Sequence, residues 1–266
     1  LELGGKNPLV VLDDADPAAA ARGSIRACFA NAGQLCITSE RLYVHESVYE
    51  SFRDAFVDAV EDISLGFGYD WDADMGPLLS AAQFEKTQRH VTDAVDRGAT
   101  VVTGGEPRPD LGPYFFEPTV LADVPADATV GETETFGPVV SLYPVESTDE
   151  AIERANDTAY GLHGNVWTGD VERGREVARQ IDCGTVAVNE GYAAAWGSLD
   201  APMGGRGDSG IGRRHGPEGL LRYTESQTVA TGGPVPLGPG PLPDRLWARS
   251  LGVLAGLVRR VPRWIK

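Results

Sequence analysis

Two hydrophobic periods alternate along the first 230 of the 266 residues, and this alternation constrains the fold most. PLVVL (8–12) is a continuous apolar run bounded by turn residues, the pattern of a strand covered on both faces. Asp16-Pro17 then supplies a cap and a proline for the first turn of a helix through AAAARGSIRACFANA. RLYVH (41–45) is predicted as the next strand. After it, Val48, Phe52, Phe56, Val60 and Ile63 recur at helical spacing. The sequence predicts further helices over 80–97, 148–155 and 171–181, and strands at TVV, GNVWT, TVAVN and 222–230. Such alternation predicts an α/β fold with a mostly parallel twisted sheet, flanking helices and right-handed crossovers.

Length and an apolar content of 42% allow one large core or two modest ones. No run approaches the roughly 18 apolar residues of a membrane span, and no basic n-region with an h-region stands at the start, so no signal peptide is expected in this chain. Three cysteines, Cys28, Cys36 and Cys183, are too few for a disulfide framework, which points to the cytoplasm. The net charge of −16 is unevenly placed. Residues 241–266 hold six basic side chains and one acid, leaving 17 basic and 38 acidic ones on the rest. That acidic surface repels nucleic acid.

Four scattered histidines and no paired cysteines give no metal pattern, and there is no P-loop, GxSxG elbow or GxGxxG fingerprint. Cys36, in GQLCITSERLYV, lies in a loop between a helix end and a strand, where backbone N–H groups could stabilise a thiolate. Taken alone it reads first as a buried apolar-like cysteine, as do Cys28 and Cys183. Glu2 gains interest from its neighbours, because Gly4-Gly5 permits close backbone approach and the strand from Pro8 anchors the segment deep in a fold. A desolvated carboxylate there could serve as a general base. Glu134, before Phe136-Gly137-Pro138, reads either as a surface turn leading into a strand or as a polar group on a ribose, with Phe136 against a flat ring. The long glycine-rich loop over 189–216 carries Tyr192 and Trp196, which argue against disorder.

Seven segments occur in one order at sensible spacing: LELGGKNP, GQLCITSERLYV, DMGPLLS, GPYFFEPTVL, ETFGPVVSLYPV, YGLHGNVWT and PMGGRGDSGIGRRHG. Together they resemble the C-terminal half of the NAD(P)-dependent aldehyde dehydrogenase superfamily, over residues 1 to about 230. GTVAVNEG and DSGIGRRHGPEGLLRYTE are most similar to the succinate-semialdehyde dehydrogenases. The resemblance implies that Cys36 is the nucleophile and Glu2 the base for deacylation, with NAD or NADP as cofactor. It implies that Glu134, Phe136 and Gly4 contact the nicotinamide end, and that Asn189 supports the catalytic loop. Tyr192, Trp196 and Met203 are expected to line the aldehyde tunnel. It further implies that the N-terminal Rossmann half is missing, so that the chain is a truncated or split product or an excised piece. The domains expected are the end of a cofactor-binding domain (1–7), a thiol domain (8–213), a return segment with an oligomerisation strand (214–230) and a tail (231–266).

The expected partners are a small aldehyde, a second subunit in a dimer or tetramer, and a separate N-terminal half. The tail joins a Pro/Gly linker to an amphipathic helix with Trp247, Leu251, Leu254 and Val258 on one face. It is read as docked on protein rather than on an anionic membrane. Arg213 and Arg214 could meet a carboxylate but are read as a surface or subunit contact. Two other functions stay open, a non-catalytic interaction module and a thiol esterase built on Cys36 and Glu2.

Overall fold

The computed structural model describes residues 1–69, 71–232, 238 and 240–260. Residues 1–224 form one compact unit and 225–266 a second. In the first, a seven-stranded sheet is built from β1 (Asn7–Val11), β2 (Ser39–His45), β3 (Thr100–Thr103), β4 (Thr119–Ala122), β5 (Val139–Val145), β7 (His163–Trp167) and β8 (Thr185–Val188). Their spatial order is β3-β4-β5-β2-β1-β7-β8, parallel throughout except for the antiparallel β3–β4 pair. Two short strands, β6 (Tyr160–Gly161) and β9 (Arg206–Gly207), pair apart from it.

The apolar runs lie where their pattern requires. Leu9, Val10 and Val11 of β1 are fully buried, because helices cover both faces of a central parallel strand. On one face pack α1 (Pro17–Phe29), whose first turn is capped by Asp16, and α2 (Glu46–Glu61). Phe52 and Phe56 of α2 stack on each other, and Phe56 on Phe29 of α1. The other face holds α5 (Thr148–Asn156) and α6 (Val171–Ala178), which bury Ala151, Ala155 and Val177 against Val10, Tyr43 and Val166. The remaining helices of this unit are α3 (Ala81–Asp96), α4 (Thr129–Glu132), α7 (Ala193–Gly197) and α8 (Gly216–Leu221).

One expected strand, read as an oligomerisation strand, has no partner among the described residues of a single chain. No strand forms over 222–230: α8 ends at Leu221, and the residues beyond it to 232 carry no strand. A strand exists only by pairing, and among the described residues no strand of the chain pairs with this segment. Strand β4 has no signature in the sequence, because TVLA after FFEP is too short to show a period. In the second unit, α9 (Asp244–Arg260) matches the expected tail helix; linker residues 233–237 and 239 and the end of the tail, 261–266, lie outside the described residues. No helix among the described residues is long and apolar enough to cross a membrane.

Two buried histidines make the fold acid-sensitive. His90, 7% exposed and hydrogen-bonded to Thr135, is pushed down to about 4 by burial and by the nearby Lys6 and Lys86 charges. Burial also lowers His163, whose ring nitrogens meet the Thr185 hydroxyl and the Gly191 carbonyl. In both cases the folded state refuses a proton that the unfolded chain accepts below its ordinary value. Stability is therefore complete above that value and lost as the pH falls toward the depressed one. From about pH 7 to about pH 5, His90 alone is expected to cost about 2 kcal/mol of unfolding free energy. Urea unfolding of His90→Gln at both pH values measures it, and an unchanged acid sensitivity would exclude His90 as its source.

Candidate active site

The segments leading into β1, β2 and β5 carry Glu2–Lys6, Cys36 and Glu134–Phe136. These three strands are parallel neighbours, so residues far apart in sequence arrive at one edge of the sheet. It is the amino edge, opposite to the carboxyl edge where open α/β sheets usually bind ligands.

The thiol loop is shaped by backbone that runs against ordinary preference. Asn31, Ala32 and Gly33 all have positive φ, at 54°, 56° and 69°. At Gly33 a Cβ would lie 2.1 Å from the Gly137 carbonyl oxygen, so only glycine lets the loop pass that close to the Glu134–Pro138 turn. Asn7 then ties the loop to the sheet. Its amide nitrogen donates to the Cys36 carbonyl at 2.9 Å and the Thr38 carbonyl at 2.7 Å, and its oxygen accepts from the His163 N–H at 3.0 Å. Asn7→Ala is expected to lower unfolding stability by about 2–4 kcal/mol, since it orphans three buried backbone groups. Chemical denaturation measures this, and a loss below about 1 kcal/mol would show that Asn7 is dispensable.

Cys36 is half-buried against Ile37, Leu162, Met203, Leu35 and Tyr192. Burial pushes its thiol above the ordinary value, the Glu2 charge adds to this, and the Arg214 charge offsets it. Its backbone N–H donates to no backbone carbonyl among the described residues and favours the thiolate of its own side chain. Cys28 and Cys183 are buried deeper, at 0% and 8% exposure. Burial drives the Cys28 thiol far up and Cys183 to about 12.

The Thr135–Phe136 turn is held from both sides. The Glu40 carboxylate accepts from the Thr135 and Phe136 N–H groups at 2.9 Å, while the Gln83 amide donates to their carbonyls at 2.8 and 2.7 Å. This clamp maintains Phe136 at φ 55°, a conformation costly for a side chain. Glu40 is itself paired with the buried Lys6 ammonium. Burial lowers Lys6, and the Glu40 charge acts against that shift. Beside the turn, the Glu134 carboxylate accepts from the Gly5 N–H at 3.0 Å, and burial raises it. A Cβ on Gly4, at φ 92°, would sit 2.6 Å from that carboxylate.

The glycine-rich loop closes the site on the side of Cys36. Met203 and Arg214 exchange backbone hydrogen bonds of 2.7 Å in each direction. The Arg214 guanidinium lies 4.7 Å above the Trp196 ring, 3.2 Å from the Met203 sulfur and 2.9 Å from a Glu2 oxygen. Within this chain Arg214 meets a carboxylate, that of Glu2, while its side chain keeps about one-third of its exposure. Arg213 instead donates to the Gly205 and Gly212 carbonyls.

Of the residues singled out from sequence, Cys36, Tyr192 and Met203 pack together, and Arg214 links Glu2 with Trp196 and Met203. Glu134, Phe136 and Gly4 share one corner. Asn189 stands apart. Its amide exchanges hydrogen bonds with the Thr168 backbone, whereas Asn165 and His163 reach the Gly191 carbonyl. The sequence pattern does not single out Asn7, Lys6, Glu40 and Gln83, although a lysine directly before a fully buried strand signals that a buried partner is needed. Among the described residues no group of three or more His, Cys, Asp or Glu side chains is arranged around a metal.

The sequence profile of the Aldehyde dehydrogenase family matches residues 1–229. A Mycobacterium tuberculosis protein provisionally named succinate-semialdehyde dehydrogenase [NADP(+)] 2 is 52% identical over 262 residues, 98% of this chain and 51% of that protein. The glutarate-semialdehyde dehydrogenase of Pseudomonas aeruginosa is 40% identical over 88% of this chain and 47% of its own length. The structure of the Bacillus cereus aldehyde dehydrogenase in its NAD+ complex superposes with a TM-score of 0.80 at 42% identity, covering 85% of this chain and 45% of that one. The chain thus spans about half the length of these relatives. The profile match and the identity across nearly the whole chain establish that it belongs to the aldehyde dehydrogenase family.

Proposed function

We propose that this chain supplies the thiol half of an NAD(P)-dependent oxidation of a semialdehyde, succinate semialdehyde in the first instance, to the carboxylic acid. The observation that carries this reading is the convergence of Cys36, Glu2 and the Glu134–Phe136 turn at one sheet edge. The semialdehyde names of the relatives support the substrate class.

In this reading the Cys36 thiolate adds to the aldehyde carbon, forming a C–S bond and moving charge to the carbonyl oxygen. The Cys36 backbone N–H, which donates to no backbone carbonyl among the described residues, stabilises that oxygen as one half of an oxyanion hole. When bound, the nicotinamide supplies the hydride acceptor for the step that leaves a thioester on Cys36. The Glu134 carboxylate, with the room beside it set by Gly4, suits a ribose hydroxyl, and the clamped Phe136 suits the flat ring; these residues fit one end of the cofactor. Glu2 then takes a proton from water, hydroxide attacks the thioester carbon, the C–S bond breaks, and the acid leaves with the thiolate restored while Glu2 passes its proton to solvent. The assembled enzyme is a homo-oligomer in which residues 222–230 pair with a second subunit.

The test joins this chain to the preceding half of its mycobacterial relative and follows NADPH formation with a panel of aldehydes. Oxidation of succinate semialdehyde by the joined protein, and none by the 266-residue chain alone, is the expected result. A folded but inactive joined protein would sink the reading, and robust turnover by the chain alone would sink its dependence on a second half. Hydrolysis of activated esters by the chain alone, lost in Cys36→Ala, would instead favour a thiol esterase. The mass of the joined protein in solution tests the oligomer, which a monomer would exclude.

A further inference from the structure

The environment of Arg214 is not that of a surface arginine. Its backbone is fixed by two hydrogen bonds to Met203, one residue of the apolar wall behind Cys36. Its guanidinium is held over the Trp196 face and touches the Met203 sulfur, contacts that need no charged partner. The Nε atom lies 2.9 Å from the Glu2 carboxylate but off the N–H direction, so the contact is an ion pair and not a hydrogen bond. Both side chains keep some access to solvent, at 32% and 25% exposure, so neither is locked away from a reacting molecule.

We propose, resting on the thiol reading above, that Arg214 is a positioning residue that fixes the Glu2 carboxylate and supplies the countercharge to that base on the Cys36 side of the site. A thiolate beside a carboxylate meets Coulomb repulsion, and a cation touching the carboxylate screens it. Three charged groups act on the thiol: Glu2 from the segment before β1, Glu134 from the segment before β5, and Arg214 from the loop after Met203. The two carboxylates disfavour the thiolate, and Arg214 is the cation that favours it. One cation thereby orients the base and keeps the nucleophile usable beside it. Stacking on Trp196 holds the guanidinium in place when Glu2 turns to its water.

The test follows iodoacetamide alkylation of Cys36 by peptide mass spectrometry in the 266-residue chain, which requires neither nucleotide nor aldehyde. Cys28 and Cys183 are buried and do not compete. Near neutral pH, Arg214→Gln is expected to slow alkylation by about threefold, since removing the cation that offsets the carboxylates lowers the thiolate fraction. Glu2→Gln is expected to speed it by a similar factor, and Arg214→Lys to restore most of the wild-type rate. Opposite signs and rescue by lysine are effects that a merely structural arginine does not produce. If Arg214→Gln leaves the rate unchanged or raises it, or Glu2→Gln fails to raise it, the proposal is overturned. Should Arg214→Gln not fold, the lysine and Glu2 variants still decide. A joined protein that oxidises no aldehyde while these rates behave as stated would remove the proposed function and leave the electrostatic pairing intact.

Discussion

Cys36→Ala is expected to abolish aldehyde oxidation by the joined protein, lowering kcat/KM by about 10⁴-fold or more, because no other group can form the thioester. The reason is structural as well as chemical. Cys28 and Cys183, the other two thiols, are buried under the sheet, where burial keeps them protonated. The substitution removes one sulfur from a half-buried loop position, so unfolding stability is expected to change by less than about 1 kcal/mol. Stopped assays of NADPH formation, with urea unfolding alongside, separate lost chemistry from a lost fold. Activity within tenfold of wild type would show that Cys36 is not the nucleophile.

Lys6→Met is expected to be the most destabilising of these substitutions, by about 3–5 kcal/mol. It leaves Glu40 with its charge buried and its ionic partner gone, while the carboxylate still accepts the Thr135 and Phe136 N–H groups. Lys6→Met combined with Glu40→Gln removes that stranded charge but keeps an oxygen for the turn. The double variant is expected to recover about 1–2 kcal/mol relative to Lys6→Met. Denaturant midpoints of the single and double variants measure both quantities. A single variant within about 1 kcal/mol of wild type would show that the pair does not hold the turn.

The distance from strand pattern to site explains what could be read early. PLVVL, the Phe52–Phe56–Val60 stripe and the Asp16 cap are local signals, each complete within one or two turns of chain, and β1, α2 and α1 follow them closely. The 222–230 segment has strand-like residues but no partner strand among the described residues, and a strand is a property of two segments, not one. Cys36, Glu2 and Glu134 were legible through the resemblance of their motifs, whereas Lys6–Glu40 and Asn7 were not. Their partners lie 34 residues apart in the first case and 29, 31 and 156 in the second.

Arg214 marks the same boundary from the other side. The sequence alone determined an alternating α/β chain with a thiol in a loop, a carboxylate ahead of a buried strand, and an arginine pair of undecided use. Only the tertiary structure decided that β5, β2 and β1 lie side by side and parallel, so that the segments leading into them meet at one edge. It also decided that the Met203–Arg214 bridge turns one arginine of the pair onto Glu2 while its neighbour Arg213 caps backbone carbonyls. The physical reason is that hydrophobic period and capping act over a few residues. Charge pairing acts through space, between groups that only the packed sheet brings within 3 Å of one another.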